Sequence, residues 1–271
     1  MLVSRPADNE IVEIATGTAF TVKYNHIRYL ITNKHNVTGK DSQGNYISTH
    51  GCVPVQICIY ARNAIFPDRG PVRVTLPLYD DIETMTGPKW VSHPTSPDYD
   101  VVAIPLHPDG YTGVGDMPDM RPGETKPGVD ASYSDWALPP FLEDPRIATP
   151  FLRPGDQVSI IGFPFGLKTL NDFPIWVNGT IATEPRFDYD SNPIFLVDAR
   201  TRSGQSGSPV ILHLSVNSPG VQFTDYSVRT FTRDVGFLLG VYSGRVQSHE
   251  SDLGIVWKPS VIREILQSIN P

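Results

Sequence analysis

Proline and glycine punctuate this chain too densely for long helices: 26 Pro and 22 Gly are spread over 271 residues. Proline removes a backbone donor and clashes with the preceding helical turn, and glycine loses the most chain entropy when it is ordered. Between them survive short runs rich in Val, Ile, Thr and Tyr, which suit a pleated, half-buried surface. The expected fold is therefore all-β, with helix a minor component. With 39% hydrophobic and 19% charged residues the chain can bury a core, and its length suits one large β domain or two small barrels.

The runs fall into two series. Residues 11–33 alternate in strand fashion around Gly17, turn near Asn25 and His26, and continue through Ile27–Thr32, a hairpin leading to His35. Further strands are expected at 53–60, 72–76, 89–92 and 101–104, parted by turn clusters such as Pro67-Asp68-Arg69-Gly70. Residues 109 to about 153 hold many Pro, Gly and Asp with little periodicity and read as a long connection. The second series comprises 157–162, 176–182, 194–197, 210–214, 235–242 and 255–257. A helix is expected over 259–269, where Pro259 sits in the first turn and Val261, Ile262, Ile265 and Leu266 share an apolar face. The expected division is 1–108 for a first barrel, 109–153 for the linker and 154–271 for a second barrel with the helix.

Charge narrows the partners. A net charge of −7 and a pI near 5.4 argue against a nucleic-acid groove or an anionic membrane surface, both of which favour clustered Lys and Arg. No apolar run approaches the roughly 20 residues that cross a bilayer, and charges stand between Met1 and Glu10 where a signal peptide needs its apolar segment. The expectation is a soluble, cytoplasmic chain. Cys52 and Cys58, the two cysteines, flank or occupy one strand-like run, too nearly collinear to bridge, and are expected as buried thiols in a reducing compartment. No His, Cys or Glu set has metal-ligand spacing, so neither a metal nor a cofactor is expected.

Ser206 lies in Gly204-Gln205-Ser206-Gly207-Ser208-Pro209, where the glycines let backbone amides turn toward a reacting carbonyl. A nucleophile elbow of the G-x-S-x-G type wants Gly where Ser208 stands, and an acid and a His after the Ser. Only His213 and His249 follow here, without alternating helices. The order His, Asp, Ser is met instead by His35, Asp100 and Ser206. His35 follows a strand in Thr32-Asn33-Lys34-His35-Asn36, and Asp100 enters one in Asp98-Tyr99-Asp100-Val101-Val102. Asp98 stands earlier in its turn and reads as a turn stabiliser. Ser208, before Pro209, reads as a packing or turn residue.

In these stretches the sequence resembles the trypsin-like peptidases, especially the bacterial HtrA type. Val197-Asp198-Ala199 runs ahead of Gly204-Gln205-Ser206-Gly207, Gly17-Thr18-Ala19-Phe20 precedes the first hairpin, and Ile161-Gly162-Phe163-Pro164-Phe165-Gly166 opens the second series. Departures are Ser203 for the usual Pro, Ser208 for Gly, no Ile-Val-Gly-Gly-like start near Gly17, and no PDZ-like extension after the terminal helix. The resemblance implies a chymotrypsin-like pair of six-stranded-type antiparallel barrels and a serine endopeptidase acting on peptides or proteins. It implies a catalytic triad of His35, Asp100 and Ser206, and an oxyanion hole from the N–H groups of Gly204 and Ser206. Ser243 and Gly244 would lie on the strand that pairs with substrate, with Ser243 supporting the aspartate, while Asp198 would be structural. Arg200, six residues before Ser206, would stand at the base of the primary specificity pocket and favour Glu or Asp, or else face solvent or pair with Asp198. Without a trypsin-like start, activation has to differ, which leaves room for a regulatory partner or an activating chain. The rival function is a protease-fold regulatory or peptide-binding module with a latent site, and a third is an esterase.

Overall fold

The computed structural model of the protein describes residues 2–5, 10–25, 27–47, 51–61, 72–106, 136–137, 146–169, 173–216, 218–246 and 251–269. Its first half contains β1 (Leu2–Arg5), β2 (Glu10–Glu13), β3 (Phe20–Tyr24), β4 (Ile27–Thr32), α1 (Lys34–Thr38), β5 (Gln56–Ala61), β6 (Val72–Pro77), β7 (Tyr79–Asp81), β8 (Thr86–Pro88), β9 (Val91–Ser92), β10 (Val102–Leu106) and β11 (Trp136–Ala137). These make a four-stranded sheet ordered β2-β1-β5-β6, a five-stranded sheet ordered β11-β3-β4-β10-β9, and a small β7–β8 ribbon. The hairpin β3–β4 closes with Tyr24 opposite Ile27, and Asn25 takes a left-handed φ of 47° that asparagine tolerates better than most side chains.

The second half is a closed six-stranded barrel. Its strands are β12 (Gln157–Gly162), β13 (Ile175–Ile181), β14 (Ile194–Asp198), β15 (Pro209–Leu214), then, after a β16 (Val221–Gln222) and β17 (Val228–Arg229) ribbon, β18 (Val235–Arg245) and β19 (Leu253–Trp257). The barrel order is β12-β13-β14-β19-β18-β15, and α2 (Pro259–Ile269) follows it in the chain. Closure removes the unpaired strand edges that an open sheet would expose.

Three apolar clusters hold the molecule. Inside the barrel lie Val158, Ile160, Phe195, Val197, Val210 and Val256. Between the two sheets of the first half lie Leu30, Val102, Ile104, Leu106, Leu76 and Leu78. The third joins the halves: Tyr29, Ile31 and Ala103 pack with Leu238, Val241 and Trp257 and with Val261, Ile262, Ile265 and Leu266 of α2. The strand period of two explains how β4 serves two cores, since Leu30 faces one and its neighbours Tyr29 and Ile31 the other.

The all-β architecture and the terminal helix match the sequence reading. Cys52 and Cys58 form no disulfide and are half-exposed rather than buried. The turn at 67–70 lies outside the described residues, as do 109–135 and 138–145 of the expected connection. Within that connection β11 returns to the first half and pairs in parallel with β3. No described helix is long and apolar enough to cross a membrane.

Candidate active site

His35 sits in α1, a single turn that leaves the end of β4. Its C-cap is Gly39 in the left-handed region (φ 67°), whose N–H donates to His35 O at 2.9 Å. Asn33, before the helix, spends its side chain elsewhere, donating Nδ2–H to Asp100 O at 2.6 Å. Asp100 enters the strand β10, which pairs with β4, so the sheet that carries the hairpin also brings the acid to the histidine.

The contact between them is double. His35 Nδ1 lies 2.6 Å from Asp100 Oδ2, and the His35 backbone N–H donates to Asp100 Oδ1 at 2.9 Å. A third donor comes from the barrel, where Ser243 Oγ donates to Asp100 Oδ2 at 2.5 Å. The ladder between β18 and β19 shifts register between Tyr242 and Gly244, and this bulge leaves Ser243 unpaired and aimed at Asp100. A carboxylate accepts all three bonds, so His35 Nδ1 is the donor in this contact. Both side chains are about a fifth exposed, 18% for His35 and 22% for Asp100, open enough for a reactant to reach.

Ser206 is half-buried in the turn between β14 and β15. Asn36, the residue after His35, donates Nδ2–H to Ser206 O at 3.0 Å, and the Thr18 N–H donates to the same oxygen at 2.8 Å. Thr18 Oγ1 also donates to Gly204 O at 2.8 Å. These bonds tie the serine turn to the histidine side of the molecule. Gly204 has φ 93°, and a Cβ there would stand 2.4 Å from Phe163 O, so both conformation and space require glycine. Gly207 repeats this at φ 90°, with Thr18 O only 2.0 Å from such a Cβ. The N–H groups of Gly204 and Ser206 donate to no acceptor among the described residues.

The remaining candidates separate. Asp98 is fully exposed and faces Lys34 at 3.9 Å, while Lys34 Nζ donates to Pro97 O. Ser208 is fully buried, and its Oγ has no partner among the described residues. Asp198 and Arg200 are exposed, and Arg200 makes no ion pair among the described residues. Gly244 has φ 136° with open space where a Cβ would be. Two residues before it, the Tyr242 hydroxyl pairs with Thr201 Oγ1, and burial pushes the phenol up from its ordinary range. Among the described residues, no group of three or more His, Cys, Asp or Glu is placed to hold a metal ion. Sequence reading missed Thr18 and Asn36, whose partners lie 186 and 170 residues away. The only local signal was their adjacency to motif residues.

A family model described as a trypsin-like peptidase domain matches residues 17–214. No curated protein matches. Among solved structures, the chain is similar to the Rv3671c protease of M. tuberculosis. Against its inactive form it shows 16% identity and a TM-score of 0.42, with 94% of this chain and 84% of that one covered. Against the active form the figures are 15% and 0.43, with 99% and 78% covered. It is also similar to an HtrA-type protease, an AlgW variant with a decapeptide, at 16% identity and TM-score 0.45, covering 99% of this chain and 60% of that one.

Proposed function

Because the chain belongs to the trypsin-like peptidase family, we propose that it is a serine endopeptidase working through an acyl-enzyme, with Ser206 as nucleophile, His35 as base and Asp100 as its orienter. The observation that carries this reading is the double contact of His35 with Asp100, through Nδ1 at 2.6 Å and the backbone N–H at 2.9 Å. A serine hydroxyl attacks a carbonyl poorly until a base takes its proton. With Nδ1–H committed to Asp100, Nε2 is left as the acceptor for that proton, and the carboxylate stabilises the imidazolium that forms.

Attack makes a C–O bond from Ser206 Oγ and places negative charge on the former carbonyl oxygen. The free N–H groups of Gly204 and Ser206 receive it, each such donor typically contributing about 2.7–4 kcal/mol. Collapse breaks the C–N bond, and His35 returns its proton to the departing amine. Water repeats the sequence on the acyl-enzyme, releasing the acid and regenerating Ser206. The outer face of Ser243–Gly244 receives the substrate backbone in this proposal, since the open space at Gly244 admits a neighbouring chain. Arg200, exposed and unpaired among the described residues, is available to a substrate carboxylate.

The test is labelling of the native chain and Ser206→Ala with a fluorophosphonate, together with cleavage of a peptide library. Labelling and cleavage by the native chain alone support the proposal. Equal labelling or cleavage by Ser206→Ala rejects it. Matched peptides with Glu, Leu or Lys before the scissile bond, compared in native and Arg200→Ala, decide the pocket: a Glu preference lost in the variant assigns Arg200 to it.

A further inference from the structure

The turn that presents the two free N–H groups is held by its own middle residue. Gln205 is completely buried. Its Oε1 accepts the Arg202 N–H at 2.8 Å, its backbone N–H donates to Arg202 O at 3.2 Å, and its carbonyl accepts the Ser208 N–H at 2.9 Å. Residues 202 and 208 are thereby both fastened to residue 205, with Gly204 and Ser206 on either side of it. Without the side-chain bond, the Arg202 N–H would lose its acceptor, and that end would keep the weaker 3.2 Å contact and the bond from the Phe165 N–H to Ser203 O at 2.6 Å.

The other end of the Gln205 amide is chemically idle. Nε2 is buried with no partner among the described residues. Burying an unpaired polar group costs about 1–3 kcal/mol, so a side chain chosen only to fill this space would be apolar. Glutamine brings one useful atom, the acceptor oxygen.

We propose that Gln205 is the positioning residue of the oxyanion turn: by capping the Arg202 N–H from inside the turn, Oε1 keeps the Gly204 and Ser206 N–H groups directed at the reacting oxygen. The inference rests on the peptidase reading for its catalytic meaning. The clamp itself uses only residues 202–208, so this end of the turn is closed by the chain's own Gln205 side chain. Thr18 adds support from outside, through its bonds to Gly204 O and Ser206 O.

Two substitutions in the full chain separate position from bulk. Gln205→Met keeps the volume and removes the acceptor, whereas Gln205→Glu keeps an acceptor oxygen and replaces the idle NH2 with the OH of a carboxyl that burial at this fully enclosed site keeps neutral. The expected result is a kcat about 100-fold lower in the Met variant, the scale of losing one oxyanion donor, with KM within twofold of native. The Glu variant stays within about fivefold of native kcat, the rescue expected if the oxygen is what matters. Amide exchange read by NMR adds a measurement independent of activity: the Arg202 N–H exchanges at least about tenfold faster in the Met variant and not in the Glu variant. A native kcat in the folded Met variant, equal losses in both, or unchanged Arg202 exchange overturns the proposal. Should the Met chain not fold, the Glu chain decides: folded and near-native supports it, folded and tenfold or more slower overturns it. If the native chain neither cleaves nor labels at Ser206, the peptidase reading fails separately, and the exchange of Arg202 still decides whether Gln205 closes the turn.

Discussion

Asp100 gathers donors from three directions: the ring and backbone of His35, and the hydroxyl of Ser243. Removing one should loosen the imidazole without abolishing its function. Ser243→Ala is expected to lower kcat about tenfold with KM changed less than threefold, in line with a lost charge-assisted hydrogen bond; steady-state kinetics on a cleaved peptide would read it, and an unchanged kcat would deny Ser243 a supporting role. Tyr242, in the barrel core, gives a pH prediction. Burial raises its phenol above the unfolded value of about 10. The folded chain therefore binds this proton more tightly, and the associated stability is complete below about pH 10 and is lost as pH rises through the raised value. The urea midpoint should fall between pH 9 and 11, and fall less in Tyr242→Phe, with buried Tyr79 supplying a second such contribution. At this scale the sequence could order His35, Asp100 and Ser206 because each stood in a recognisable local context. Thr18, Asn36 and Gln205 could not be read the same way, because what they bond to is decided by the meeting of segments or by the closing of one turn.

Elements were legible where one strand or helix carried its own pattern. Gln157–Gly162 and Pro259–Ile269 occur at the bounds their apolar spacing suggested, since a buried strand face and an amphipathic stripe are local properties. The β7–β8 and β16–β17 ribbons and the single turn α1 were not foreseen, because two- and three-residue elements exist only through a partner. The expected strand at 89–92 begins later, at Val91, because the Lys89 N–H donates to Leu78 O instead. One long-range contact joins α2 to the loop before Asp100: His93 Nε2 donates to Glu264 Oε2 at 2.8 Å, while its Nδ1 accepts the Ser96 N–H at 3.1 Å. The His93 ring lies 4.9 Å from that of Tyr99, and Tyr99 lies 4.9 Å from Trp257. Glu264→Ala leaves the buried Nε2–H without an acceptor and should cost about 1–3 kcal/mol, measured by urea unfolding. A loss below 0.5 kcal/mol, about the scatter of an ordinary surface change, would mean that the helix does not steady this loop.

For the whole molecule, the cluster that joins the halves decides how it unfolds. Ile262 and Leu266 are completely buried among residues drawn from both. Ile262→Ala should lower stability by about 2–5 kcal/mol, and fluorescence and far-ultraviolet dichroism should still report one coincident transition; two separated transitions would show that each half holds itself together. The same helix sets a schedule for synthesis. Proteins are made from the first residue onward, so His35, Asp100 and Ser206 all leave the ribosome before residues 259–269 exist. Until those residues arrive, Tyr29, Ile31, Ala103, Leu238 and Val241 lack their cover, and His93 lacks Glu264. The nascent chain thus holds every group of the proposed site before it holds the piece that braces the two halves.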